Sequence, residues 1–156
     1  MIQLDIMIRK ARLKDVPQIE KVVSYYAQQG QLLPRTKKEI EKTISFFWVI
    51  NENKTVLGCT ALVPYSQDLA EIRSLAVQEQ YKKQGKGREL VEKIQNEAKK
   101  RKIKTIFVFT YMPVFFEKLG FKRVDSRKLP EKYWRDCHKC PKYSSCDEVA
   151  LIWQSF

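Results

Sequence analysis

Nowhere does this chain carry an apolar run near the roughly 20 residues needed to cross a bilayer, so no membrane partner is expected. Its start, Met1 to Lys10, breaks the apolar residues with Asp5 and Arg9 and lacks the pattern of an export signal. A cytoplasmic protein is therefore expected, with Met7 an alternative start because periodic patterning begins near it. Repeats, linkers and low-complexity tracts are also missing, so the 156 residues are expected to form a single domain, 1–156, with a real core. Acid is scarce: 18 acidic residues stand against 30 basic ones, for a formal net charge of +12. Such a surface is either simply soluble or drawn to a polyanion, whether nucleic acid or a phosphate-bearing cofactor. The basic residues are spread out, densest at Lys82 to Arg88 and Lys99 to Lys104, and not gathered in a dedicated basic helix or tail. Nucleic acid is accordingly not expected as a partner. Only four cysteines occur; Cys59, alone in an apolar run, reads as a small core residue.

What is present reads as alternating elements. Ile6 to Ala11 is a strand, and Asp15 to Gln28 carries Val16, Ile19, Val22, Val23 and Tyr26 at helical spacing. Thr36 and Glu39 form a capping box that opens a second helix, Lys37 to about Ser45. Strands Phe46 to Ile50 and Val56 to Tyr65 flank the turn Asn51 to Lys54. Asp68 to Val77 is a further strand, and after a polar loop a helix carries Leu90, Val91, Ile94 and Ala98 on one face. Ile103 to Thr110 reads as a buried strand, Val114 to Leu119 as a short helix stopped by Gly120, and Phe121 to Val124 and Val149 to Trp153 as final strands. The order predicts a mixed α/β domain.

The chemistry concentrates where the strand ending Leu75-Ala76-Val77 meets the loop Lys82-Lys83-Gln84-Gly85-Lys86-Gly87 and the helix beginning near Arg88. The first N–H groups of a helix lack intrahelical partners and carry the positive end of its dipole, which suits a phosphate. Gly85 and Gly87 let the backbone turn sharply and approach an anion, while Lys82, Lys83, Lys86 and Arg88 add positive charge. The spacing is neither that of a Walker loop nor of a dinucleotide loop, which would follow the first strand.

This loop resembles the acyl-CoA loop of GNAT acetyltransferases, Arg/Gln-x-x-Gly-x-Gly/Ala, with Lys82 in the first position. A second stretch, Phe115-Phe116-Glu117-Lys118-Leu119-Gly120-Phe121, is similar to that family's aromatic-Tyr-Glu-Lys-Leu-Gly-Phe run, and the likeness covers about Met7 to Val124. The resemblance implies a central, mostly antiparallel sheet splayed between its fourth and fifth strands and flanked by helices. It implies acetyl-CoA as cosubstrate, its diphosphate on the backbone of Gln84, Gly85, Lys86, Gly87 and Arg88. Its pantetheine would lie along Leu75, Ala76 and Val77, and a backbone N–H there would polarise the thioester. Transfer would be direct attack by the acceptor amine, without a metal or covalent enzyme intermediate. Glu71 is the candidate general base, or else it only pairs with a neighbouring base. The family's proton-donating Tyr is replaced by Phe116, which the resemblance leaves as a cofactor-binding candidate; Tyr111 either substitutes for it as donor or is an ordinary half-buried aromatic.

Glu71-Ile72-Arg73-Ser74-Leu75-Ala76-Val77, with the stretch from Leu129 to Glu148, is similar to the short amino-acid N-acetyltransferases of the N-acetylglutamate synthase type in arginine biosynthesis. That likeness implies glutamate as the small amine acceptor. Arg73 could fork onto its carboxylate, with Lys132 and Arg135 as further candidates, or Arg73 could pair with Glu71 or Asp68. A polyamine, an antibiotic, another amino acid or a protein amine are the other acceptors, and a nucleic-acid module with a zinc knuckle is the non-enzymatic alternative. A homodimer is left open. The sequence holds no amino-acid kinase domain, so feedback through one is not expected. Within the segment 129–148, Cys137, Cys140 and Cys146 have metal-like spacing, with His138 as a fourth zinc ligand. His138 sits inside the knuckle and can hardly reach the same ion, so no metal is expected and reduced thiols or a labile disulfide are favoured.

Overall fold

The computed structural model describes residues 6–126, 129 and 148–155. These fall into two compact units: Met1–Val63 with Ile72–Glu97, and Pro64–Glu71 with Ala98–Phe156. The strands are β1 (Ile6–Lys10), β2 (Phe47–Glu52), β3 (Thr55–Pro64), β4 (Leu69–Val77), β5 (Thr105–Thr110), β6 (Lys122–Val124) and β7 (Val149–Gln154). The helices are α1 (Val16–Ala27), α2 (Lys37–Lys42), α3 (Lys86–Arg101) and α4 (Pro113–Glu117). The mixed α/β class and the order of elements are those expected from the sequence.

In the first unit β1 pairs antiparallel with β2, and β2 with β3 as a hairpin, with Ile8 opposite Ile50 and Val49 opposite Cys59. A bulge between Ile50 and Asn51 precedes the turn, where Asn53 takes a positive φ of 54°. Asn tolerates that left-handed conformation better than most side chains. Along α1 the apolar stripe Val16, Ile19, Val22, Val23 and Tyr26 is buried. Ahead of α1, Arg9 reaches Asp15 through two hydrogen bonds of 2.7 and 2.9 Å, and Asp15 also accepts from the Arg12 N–H.

The capping box at α2 is formed, the Thr36 hydroxyl accepting from Glu39 N–H at 3.1 Å. The helix stops at Lys42, short of the Ser45 expected from the sequence. Thr43 turns its hydroxyl back onto the Glu39 carbonyl at 2.8 Å and leaves helical geometry, and a short 3-10 turn, Ile44–Phe46, follows. A β-branched residue bonding its own preceding turn competes with helix continuation.

One core cluster ties the loop-bearing helix to the strands: Ile50, Leu57 and Leu90 are fully buried, with Ile8, Leu75, Val77 and Tyr81 packed on them. Each such side chain contributes about 1.5–3 kcal/mol by leaving water. Through Leu90 the start of α3 is fixed against β2 and β3, and Leu75 and Val77 share the same core.

In the second unit the first residues of β4 pair in parallel with β5, Leu69 opposite Thr105 through Glu71 opposite Phe107, while β4 itself runs on to Val77. β5 pairs antiparallel with β7, and β7 with β6. The core here is Phe107, Leu129 and Ala150, with Tyr65, Leu69, Phe109, Val124 and Ile152 packed on it. Among the described residues no helix is long and apolar enough to cross a membrane.

Candidate active site

β4 is regular except at Ser74, whose φ of +53° is left-handed in the middle of a strand. That conformation costs a non-glycine residue about 1–2 kcal/mol. The kink decides which way the next backbone groups face. The Ser74 carbonyl accepts from the Cys59 thiol of β3 at 3.4 Å. In a trans peptide the N–H of the next residue points opposite to that carbonyl, so Leu75 N–H faces away from β3.

The same reasoning fixes Val77. Gln78 N–H donates to Leu57 O of β3 at 2.8 Å, so the Val77 carbonyl faces away from β3. The Ala76 carbonyl lies against Gly58 on β3, so the Val77 N–H also faces away. Leu75 and Val77 therefore present main-chain groups along one edge, to which an extended chain could add as a strand does.

Gly58 permits this geometry. A Cβ there would lie 2.8 Å from Ala76 O and 3.1–3.2 Å from Val77 Cγ2 and Cα. Only glycine fits, because the obstacle is largely backbone. Gln78 anchors the strand end further, its side-chain amide donating to Val56 O at 2.6 Å.

After β4 a 3-10 turn, Glu79–Tyr81, leads into the loop. Lys83 and Gly85 take positive φ values of 63° and 79°, and α3 begins at Lys86. The first helical bond is Glu89 N–H to Gly85 O at 3.0 Å. The N–H groups of Gly85, Lys86, Gly87 and Arg88 stand ahead of it with no helical carbonyl to meet. A Cβ on Gly85 would meet nothing within 4 Å, so its role is the backbone turn, and the space beside it is open. Lys82, Lys83, Gln84 and Arg88 are exposed around this terminus. Lys82 lies 3.5 Å from Glu79 and Arg88 3.4 Å from Glu92. Open N–H groups, the helix dipole and cationic side chains are the features that favour an anion at a helix start.

Of the residues singled out from the sequence, Arg73, Leu75, Ala76, Val77 and the loop from Lys82 to Arg88 fall in the first unit. Arg73 is half-buried, and its carbonyl accepts from the Thr60 hydroxyl at 3.2 Å. Glu71, Tyr111 and Phe116 fall in the second unit. Glu71 is 1% exposed, and the Tyr65 hydroxyl donates to its Oε1 at 3.0 Å. Tyr65 is held by its ring against Phe107, 5.2 Å between centroids. Tyr111 is half-buried just after β5. Phe116 is 2% exposed, edge-on to Phe115 and Phe121. Lys132, Arg135, Cys137, His138, Cys140 and Cys146 lie outside the described residues. Among the described residues no group of His, Cys, Asp and Glu could hold a metal ion. Burial pushes the Cys59 thiol up to about 12, so it remains protonated and is no nucleophile.

Four contributors escaped the sequence reading: Gly58, Ser74, Tyr26 and Tyr65. Gly58 had a signal, a glycine inside an apolar strand, which marks a close backbone approach. Helical spacing places Tyr26 in the apolar stripe of α1 and says nothing of its hydroxyl. Its hydroxyl reaches the Val77 carbonyl. Nothing in the residue type announces a left-handed Ser74.

Residues 43–123 match the acetyltransferase (GNAT) domain family. An uncharacterized N-acetyltransferase of Chlorobaculum tepidum is 39% identical over 148 residues, covering 95% of this chain and 96% of its own. The amino-acid acetyltransferase of Escherichia coli is 32% identical over 126 residues, 80% of this chain but only 28% of that protein. The solved N-acetylglutamate synthase of Neisseria gonorrhoeae, complexed with coenzyme A and N-acetyl-glutamate, superposes with a TM-score of 0.87 at 26% identity. It covers 99% of this chain and 36% of that one. The matched domain and the near full-length relative together show that this chain belongs to the GNAT acetyltransferases, enzymes that take their acetyl group from acetyl-CoA.

Proposed function

We propose that this chain acetylates the α-amine of a small amino acid, with glutamate as the favoured acceptor, and that residues 1–156 act as one acetyltransferase domain. The observation that carries the reading is the open helix terminus at Gly85–Arg88 following a strand end whose Leu75 and Val77 groups face away from β3. In this reading the diphosphate of acetyl-CoA sits on the N–H groups ahead of α3. The pantetheine arm runs beside Leu75 and Val77. Leu75 N–H points at the thioester oxygen and stabilises the negative charge that develops there. The acceptor amine attacks the carbonyl carbon, the C–N bond forms, the C–S bond breaks, and CoA leaves as its thiol. The acceptor ammonium first gives one proton to Glu71, directly or through water, and so becomes the nucleophile; once the C–N bond forms the nitrogen sheds a second, and the departing sulfur gains one, for which Tyr111 is the donor considered.

Glutamate is favoured by the similarity to amino-acid acetyltransferases and by a net charge of +12, which suits an anionic substrate. Arg73 is the residue proposed to take a substrate carboxylate, because its planar fork pairs with both oxygens. Lys132 and Arg135 are secondary candidates. The test is a panel of amino acids, polyamines and aminoglycosides with acetyl-CoA, read as thiol release. Glutamate should give the highest kcat/KM, and Arg73→Ala should raise its KM at least about ten-fold, as loss of a charged hydrogen-bonded contact would. Turnover confined to polyamines, or an unchanged glutamate KM in the variant, would overturn the acceptor assignment.

A further inference from the structure

Tyr26 lies on α1, 4% exposed, and its hydroxyl sits 2.5 Å from the Val77 carbonyl oxygen. Glu79 Oε2 lies 3.4 Å from the same hydroxyl. A phenol has one proton to donate. The Val77 carbonyl is much the nearer acceptor, so it takes that proton. The carboxylate of Glu79 is therefore an oxygen facing an oxygen, and Lys82 offsets the repulsion. Its ammonium is 3.5 Å from Glu79 Oε2 and 4.7 Å from the centre of the Tyr26 ring. Burial pushes the Tyr26 phenol above its ordinary range, with Glu79 adding to and Lys82 opposing that shift, so the hydroxyl stays a donor near neutrality. Tyr25 supports the ring edge-on at 5.0 Å.

The placement matters because of what the phenol touches. Val77 carries the carbonyl that faces away from β3, on the edge offered to an extended ligand. Glu79 and Lys82 begin the turn that leads to Gly85. One buried hydroxyl thus joins the end of the ligand-pairing edge to the start of the phosphate loop. A carbonyl oxygen has two lone pairs, so Val77 can accept from Tyr26 and from a ligand amide together.

We infer that Tyr26 is a positioning residue for the cosubstrate, holding the Val77 carbonyl and the Glu79–Lys82 pair in the arrangement that receives the pantetheine arm and the diphosphate. The inference rests on the reading that acetyl-CoA lies along β4. Tyr26 is assigned no contact with the reacting atoms, so its hydroxyl acts on binding and not on the chemical step.

The test compares wild type with Tyr26→Phe, which keeps the ring and removes only the hydroxyl. CoA is titrated calorimetrically into each, and acetyl-CoA kinetics are taken with the best acceptor of the panel. In parallel, wild type labelled at tyrosine Cζ is titrated with CoA by NMR, the Tyr26 line being the one missing from the variant's spectrum. The expected result is a CoA Kd and an acetyl-CoA KM about five- to ten-fold higher in the variant, the loss of one hydrogen bond, with kcat unchanged. The Tyr26 Cζ line should also move when CoA is added to wild type. A purely structural tyrosine would lower stability without moving that line. A Kd within two-fold of wild type, a kcat that falls in step, or a stationary Cζ line would each overturn the inference. Wild type that fails to bind CoA at all would overturn the cosubstrate reading itself and this inference with it.

Discussion

Replacing Gly58 by alanine puts a methyl group where β4 already is. The new Cβ would lie 2.8 Å from Ala76 O, 3.2 Å from Val77 Cα and 3.1 Å from Val77 Cγ2. Two of these three atoms are backbone and cannot swing aside as the end of a side chain could. Relief requires the end of β4 to move off β3, which stretches the Gln78 N–H to Leu57 O bond of 2.8 Å. Overpacking of this kind costs about 1–3 kcal/mol. The weakened hydrogen bond adds about 1 kcal/mol. Together that is a large share of the roughly 5–15 kcal/mol that holds a domain folded. The displaced segment carries Val77, so the same substitution should weaken CoA binding. The assay is urea unfolding of Gly58→Ala beside Gly30→Ala, with CoA titration of both. Gly30, unlike Gly58, takes a positive φ, +73°, and a Cβ there meets nothing within 4 Å. Gly30→Ala should therefore show only the conformational cost, about 1–2 kcal/mol, and normal CoA affinity. A Gly58→Ala protein as stable as wild type, with unchanged affinity, would refute the claim that this glycine sets the position of the ligand-pairing edge.

The remaining predictions concern proton handling and acid stability. Glu71→Gln should lower kcat about 100-fold or more while leaving CoA affinity unchanged, as expected for a general base; a kcat within a few-fold of wild type would return Glu71 to a purely structural role. At Asp15 burial opposes ionisation, but hydrogen bonds from Arg9 and the Arg12 N–H outweigh it and hold the carboxyl below its ordinary value of 3.8. A depressed native pKa adds stability that is complete above the unfolded-state value and lost as pH falls through the native one. Asp15→Asn should therefore be less stable than wild type at pH 7 by about 3 kcal/mol, because Arg9 loses its partner. The gap should narrow as pH falls below the ordinary carboxyl value of 3.8 and on through the lower native one, where Asp15 of the folded wild type is protonated as well. A gap independent of pH would show that the ion pair is not its source.

Much of the fold was legible because it rests on local periodicity. The stripe on α1 and the Thr36–Glu39 box are carried by neighbouring residues, and both are found. α2 ends before Ser45 because Thr43 has a competing hydrogen bond that residue-type preference does not report. The glycine loop was legible for the same local reason, a turn and a helix start being encoded within a few residues. What holds the strand beside it was not. Gly58 and Val77 are far apart in sequence and meet only through β3–β4 pairing, and Tyr26 reaches Val77 from another element altogether. The facing of Leu75 and Val77 depends on a left-handed Ser74, which no side-chain preference for serine would indicate.

The most direct measurement is calorimetric titration of CoA into wild type and Gly87→Glu. Gly87 is the second residue of α3, where an acidic side chain favours the helix dipole, so the variant should remain folded. Binding by wild type and none by Gly87→Glu is the expected outcome, since the carboxylate would occupy and repel the diphosphate's seat. Equal affinity in the two proteins would contradict it and remove the helix terminus from the site.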